Sequence, residues 1–485
     1  MASKRAFWLC WGILTVVAAT YLGFGLFTKD AGHHTALAGA RSQFLPGKTT
    51  SGHHQIEMAC ESCHTSAFAT RDDLQEACVK CHGAELKAAD DKHPKSKFTD
   101  PRNAERAAKL DATYCVTCHV EHRPDTTHAM GVTLPQDFCS HCHGGEFAIA
   151  NDRPSHAGMA FDTCASSGCH RFHDNRALYE DFLLKHAKEP SLLPKTTLPR
   201  RDFSEAVKEL TNYPADKYPF KPLGAEDNDA PKSTKVSPAL MDDWLSTAHA
   251  KAGVNCSACH QSQGAAWIER PGQQQCKLCH TPEVDGWLAG KHGMRVAEKL
   301  PPMAPKDARL PMREDALTKQ LTCNACHAAH RFDTRKAAVE GCLACHADPH
   351  SLAYKKSPHF DLWRKELTGE LPPGSGVSCA SCHLPRVEHR TDDIRHWLVQ
   401  HNQNDTLRPN EKMIRPVCLS CHGLEFSIDA LADPRLIANN FAGPPGVHIK
   451  SLEMAEKRKK EQPEKKRKRP DAESVFNSTH ERSPK

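Results

Sequence analysis

Cysteine placement constrains this chain more than any other feature. Of 23 cysteines, 22 fall into eleven pairs, and each pair is followed directly by histidine. Ten pairs read C-x-x-C-H: Cys60/Cys63/His64, Cys78/Cys81/His82, Cys115/Cys118/His119, Cys139/Cys142/His143, Cys256/Cys259/His260, Cys276/Cys279/His280, Cys323/Cys326/His327, Cys342/Cys345/His346, Cys379/Cys382/His383 and Cys418/Cys421/His422. The eleventh, Cys164/Cys169/His170, has two more residues between its cysteines, and only Cys10 is left over. The chain has 485 residues, enough for two or three domains, yet only 39% are apolar and 6% aromatic. Side-chain burial alone would make a thin core at that composition. Something other than Leu and Val has to fill the interior.

The motif has a physical reason. Two thioether bonds pin a haem to one short turn, and the adjacent histidine points its imidazole at the iron. Zinc sites and redox dithiols also use C-x-x-C. Zinc, however, would need each pair to alternate with a second ligand pair, and a disulfide scaffold would not place His after every second Cys. The repeats therefore read as eleven covalently bound haem c groups, attached through the 22 paired cysteines and ligated by the eleven motif histidines. Successive motifs are close, with 13 residues between His64 and Cys78 and 14 between His327 and Cys342. Such intervals allow a short helix and a turn. The expected fold class is mainly α with little regular secondary structure, short helices and loops wrapped around stacked haems.

Removing the motif histidines from the 32 present leaves 21, more than one second axial ligand per iron. In the first half the candidates are His53 or His54, His93, His122, His128, His156, His173 and His186. In the second half they are His249, His292, His330, His359, His389 and His401. His33, His34 and His480 read as surface residues, while His350, His396 and His448 are open between the two roles. A ligating imidazole is oriented by what its other nitrogen donates to. Glu121, Asp174 and Glu388 stand beside candidate ligands and could serve, although solvated surface charge is the plainer reading for each.

The chain divides into five stretches: residues 1–30, an N-terminal membrane anchor; 31–190, a pentahaem unit; 191–235, a Pro-rich linker; 236–452, a hexahaem unit; and 453–485, a disordered basic tail. Lys4 and Arg5 precede an uncharged stretch over residues 6–28, long enough to cross a bilayer. A cleaved signal peptide ending near Ala38-Gly39-Ala40 is the rival reading. Either exports the rest of the chain, with the anchor holding the haem units in the periplasm at the inner membrane. Eight prolines between Pro190 and Pro238 break up the longest motif-free gap, leaving at most a helix near residues 201–210. Helix formers free of Pro and Gly predict helices over residues 102–110, 177–186, 238–250 and 314–321. The net charge of +5 belongs to the tail, where nine Lys and Arg between Ala455 and Pro470 face three Glu. It gives no reason to expect a nucleic-acid partner.

On these motifs, residues 53 to about 450 resemble the multihaem c-type cytochromes. The first five motifs are similar to the small class III cytochromes. The last six are similar to the octahaem hydroxylamine oxidoreductase, nitrite and tetrathionate reductase group, through Trp244-x4-His249, His327-x2-His330, Ser357-x-His359, His401-Asn402 and Arg415-Pro416. The resemblance implies either an electron-transfer wire of bis-His haems or an oxidoreductase with one open haem. Two features favour the wire: no motif ends in Lys, and no Tyr follows Tyr354. A membrane quinol dehydrogenase is a third reading. The implied partners are redox proteins, among them other cytochromes or a membrane or porin complex, and quinol.

Overall fold

The computed structural model describes residues 2–27, 45–66, 68–89, 93–144, 161, 172–173, 178, 180–199, 221–261, 266–391, 394–407 and 410–461. Its helices include α1 (Ala2–Phe27), α2 (Arg71–Ala88), α3 (Glu180–His186), α4 (Thr281–Ala289), α5 (Thr334–Leu343), α6 (Pro358–Thr368), α7 (Leu424–Ala432), α8 (Pro434–Ala438) and α9 (Ser451–Glu461). Short α and 3-10 turns fill most of the rest, so the chain is mainly helical. One antiparallel hairpin, β1 (Arg386–Thr391) with β2 (Ile394–Val399), makes up the sheet among the described residues, His389 opposite His396.

Local caps start the helices. The Thr70 hydroxyl accepts from the Asp73 N–H while the Asp73 carboxylate accepts from the Thr70 N–H, a reciprocal box that opens α2. Ser357 caps α6 ahead of Pro358, and Gly369 ends it in the left-handed region at φ 79°. The helix expected over 102–110 begins as a 3-10 turn at Pro101–Asn103 and continues as Ala104–Lys109. Over 238–250 two short helices meet at Thr247, whose hydroxyl accepts from the Ala250 N–H. At 314–321 only the 3-10 turn Glu314–Ala316 forms. The helix expected near 201–210 lies outside the described residues.

α1 is one helix, but among the described residues no helix is long and apolar enough to cross a membrane. The transmembrane anchor expected over residues 6–28 finds no support there; the helix also takes in Lys4 and Arg5. Its Phe7, Trp8, Leu9, Ile13, Leu14, Val16 and Val17 are exposed.

The tail differs from expectation too. α9 is helical to Glu461, because Leu452 and Ala455, three residues apart, share one face and bury it. They join Leu178, Leu183, Ile414, Leu424 and Ile428 in a side-chain core. Residues 178–198 thus run along the later motifs: Leu193 N–H donates to Cys421 O, His422 Nδ1 lies 2.9 Å from Ser191 O, and Leu198 N–H donates to Gly374 O.

His448 pins α9 to α7. Its Nδ1 lies 3.0 Å from Asp429 and its Nε2 3.3 Å from Glu453. Hydrogen bonds to these carboxylates, Asp429 first, raise its pKa above the usual 6.5. A raised folded-state pKa gives stability that is present below the unfolded value and lost as pH rises through the folded one. In urea unfolding, His448→Gln should therefore be less stable than the parent at pH 6, with the gap closing by pH 8.

The early and late motif regions meet through a polar seam. Lys291 Nζ donates to Ser51 O and Gly52 O, Arg295 to Gln55 O at 2.9 Å, and Arg309 to Thr49 O and the Glu57 carboxylate, both at 3.0 Å. Ser62 hydrogen-bonds Glu298, and Lys412 pairs with Glu85.

Candidate haem sites

Most described C-x-x-C-H stretches form one short helical or 3-10 turn, while Cys78, Cys81 and His82 lie within α2. In seven of them the motif His N–H donates to the carbonyl of the first Cys, as His64 does to Cys60 and His119 to Cys115. None of the described cysteines is joined in a disulfide. Among the described residues no three His, Cys, Asp or Glu side chains converge into a protein-only metal cage.

Cys60, Cys63, Cys81, Cys259 and Cys279 are exposed. Cys279 shows the physical reason. Its turn carries Leu278 at 55% exposure, and the adjoining Lys277 reaches out to Asp285 at 2.6 Å, so polar surface contacts hold the turn at the boundary of the molecule and the second cysteine points outward with it. The Cys279 N–H and the His280 N–H both donate to Cys276 O.

The histidines come together in twos. His82 faces His53 with ring centroids 5.9 Å apart, His143 faces His93 at 6.2 Å, and His119 faces His173 at 6.5 Å. Further along, His260 faces His330 at 5.7 Å, His280 faces His249 at 5.8 Å, and His327 faces His401 at 6.3 Å. His346 faces His292 at 6.3 Å, His383 faces His350 at 5.9 Å, and His422 faces His359 at 6.3 Å. Every pair joins one motif histidine to one from outside the motifs. A metal lies about 2 Å from an imidazole nitrogen and the ring adds about 1 Å more on each side, so two imidazoles sharing one iron have centroids about 6 Å apart. The spacing fits haem iron.

The second ring nitrogen is often occupied. Nδ1 of His93 lies 2.7 Å from Phe172 O, that of His119 3.0 Å from Gly131 O, that of His260 2.7 Å from Ile268 O, and that of His401 2.8 Å from Val399 O. An Nδ1–H donated to a carbonyl leaves Nε2 as the ligating atom. Burial and neighbouring imidazoles hold His292, His359 and His383 down to about 4, so they stand neutral, the form that binds metal.

Glu121 orients His53, 2.6 Å away, rather than the adjacent His122. Burial pushes this carboxylate up, but hydrogen bonds from His53 and Thr50 outweigh it and hold Glu121 at about 2. Glu388 instead lies 3.5 Å from Arg390 on the hairpin. Asp174 lies outside the described residues, as do Cys164, Cys169, His170 and His156.

The remaining candidate ligands have other described neighbours. His389 faces His396 across the hairpin at 5.2 Å. His186 Nδ1 lies 2.6 Å from Glu189, His54 Nδ1 lies 3.2 Å from Ser51 O, and His122 Nδ1 lies 2.8 Å from Gly47 O. His128 is exposed. His350, left open by the sequence, is the partner that His383 meets. A signal for it was present: Asp348-Pro349-His350 repeats Ser357-Pro358-His359, in which a side chain caps a short helix, Pro follows, and His projects from the first turn.

The attachment cysteines also adjoin in series. The thiols of Cys78 and Cys115 are within hydrogen-bonding reach, as are those of Cys276 and Cys323 and those of Cys342 and Cys379. Cys259 lies within electrostatic reach of Cys276 and Cys279, Cys326 of Cys342, and Cys418 of Cys382.

Residues 52–144 match the family model for cytochrome c3. No curated protein and no solved structure matches the chain. Together with the repeated motif, the match over this stretch supports a multihaem electron-transfer cytochrome.

Proposed function

We propose that the chain binds eleven haem c groups, closes each iron with two histidines, and passes electrons along them between redox partner proteins outside the cytoplasm, where haem c is attached. The observation that carries this reading is the set of nine histidine pairs at 5.7–6.5 Å, each with one motif member. An iron held on both faces has no vacant position for a small substrate, so electrons enter and leave at the porphyrin edges. All six motifs of the second half have such a partner, and this favours the wire over an oxidoreductase with an open haem. The serial contacts among attachment cysteines support an order that follows the sequence from Cys256 to Cys421.

Pyridine haemochrome analysis should give eleven haems per chain, and the ferric EPR spectrum should be low-spin throughout. Reduced protein should bind no carbon monoxide. A high-spin component worth one haem, with a matching Soret change under carbon monoxide, would replace the wire with an enzyme.

A further inference from the structure

We infer that the second half contains another copy of the four-haem module that opens the chain: residues 249–346 repeat residues 53–143, and His122 closes the iron of His64 as His330 closes that of His260. The inference rests on the bis-His reading above and adds a duplicated architecture and one specific iron ligand. The second copy lies wholly outside the residues that match the family model.

The correspondence runs through the ligand wiring rather than through overall sequence. A histidine stands seven residues before the first cysteine of each copy, His53 before Cys60 and His249 before Cys256. In both copies it crosses to the second motif, meeting His82 at 5.9 Å and His280 at 5.8 Å. That second-motif histidine has a glutamate three residues on, Glu85 at 3.9 Å and Glu283 at 4.0 Å. The histidine between motifs two and three reaches forward to motif four, as His93 to His143 at 6.2 Å and His292 to His346 at 6.3 Å. The third-motif histidine meets one beyond the fourth, as His119 with His173 at 6.5 Å and His327 with His401 at 6.3 Å. The first cysteines of motifs two and three lie within hydrogen-bonding reach in both copies.

The remaining element is the histidine three residues after motif three. His122 and His330 both occupy the left-handed backbone region, at φ 63° and 60°. That conformation is uncommon for a residue with a side chain, and its recurrence at equivalent positions marks one local device used twice. In the second copy it delivers His330 to first-motif His260 at 5.7 Å. In the first copy the equivalent target is His64, and His122 is prepared for it: its Nδ1 is taken by Gly47 O at 2.8 Å, which leaves Nε2 to ligate. His64 itself sits at the surface beside its own cysteines.

The test uses the full-length holoprotein with His122→Ala and His330→Ala side by side. Each should convert one haem in eleven from low-spin to high-spin in ferric EPR, and each should gain one carbon monoxide per chain where the parent binds none. A His122→Ala spectrum identical to the parent overturns the proposal, whatever His330→Ala does. His122→Met, which supplies a thioether in place of the imidazole, guards against a folding defect: it should keep all haems low-spin, raise one midpoint potential, and show a thioether-to-iron charge-transfer band. Absence of that band overturns the proposal as well. A parent protein that already holds a high-spin haem signals failure of the bis-His reading instead, so the two failures are distinguishable.

Discussion

Exchange of His350 for alanine should open one iron in the middle of the second half. The parent should bind no carbon monoxide, and the variant one molecule per chain, with one haem in eleven turning high-spin. The geometry gives His350 this role: its ring faces His383 at 5.9 Å, and its Nδ1 is held 2.5 Å from Ile437 O at the end of α8. His389→Ala is the matched control. That residue faces His396 on the hairpin, so its loss should leave the haem spectra and carbon monoxide binding unchanged. The effect of His350→Ala should also be kinetic, since Cys342 adjoins Cys379 and Cys382 lies near Cys418. Stopped-flow reduction should show slowed passage to the last haem. Retention of eleven low-spin haems in His350→Ala would contradict the assignment.

The second large effect should follow from cutting the polar seam between the early and late motif regions. Arg295→Ala with Arg309→Ala removes three hydrogen bonds that cross it, to Gln55 O, Thr49 O and the Glu57 carboxylate. Both arginines are partly exposed, so each bond is worth about 1 kcal/mol rather than the upper range for charged donors. Their joint loss, roughly 3 kcal/mol, weakens docking roughly a hundredfold. The radius of gyration from small-angle scattering should rise, and urea unfolding should separate into two transitions. An unchanged radius and a single transition would mean that the seam does not hold the halves together.

Much of the fold was legible in the sequence because the motifs are local. A C-x-x-C-H turn is set by five adjacent residues, and the short intervals between turns leave room for little but helices. The hairpin at 386–399 was not anticipated, although Val387, His389, Trp397 and Val399 stand in a stretch without Pro or Gly. The side-chain core was missed for a different reason. Leu178, Ile414 and Leu452 are distant in the chain, and no period in any one segment announces that they pack together.

The candidate sites were legible as a set of residues and not as a set of pairs. Residues such as His119 and His173, or His327 and His401, approach each other only once the chain has folded back. Adjacency also misled. Glu121 stands next to His122 in sequence, but the backbone turns left-handed at His122, and the carboxylate is spent on Thr50 and His53. The motif spacing likewise says which cysteines act together but not which face the solvent, as Cys279 does.

The seam has a further consequence when its two sides are placed on the duplicated module. One side is the stretch around the first copy's leading histidine, residues 49–57. The other is residues 291–309, which follow the histidine between motifs two and three of the second copy. These are different positions on equivalent bodies, so the joint is heterologous and has no two-fold axis to close it. Growth by such a joint is open-ended. A chain assembled this way gains conducting length by adding another copy in the same orientation, as a filament gains subunits, without redesigning either face.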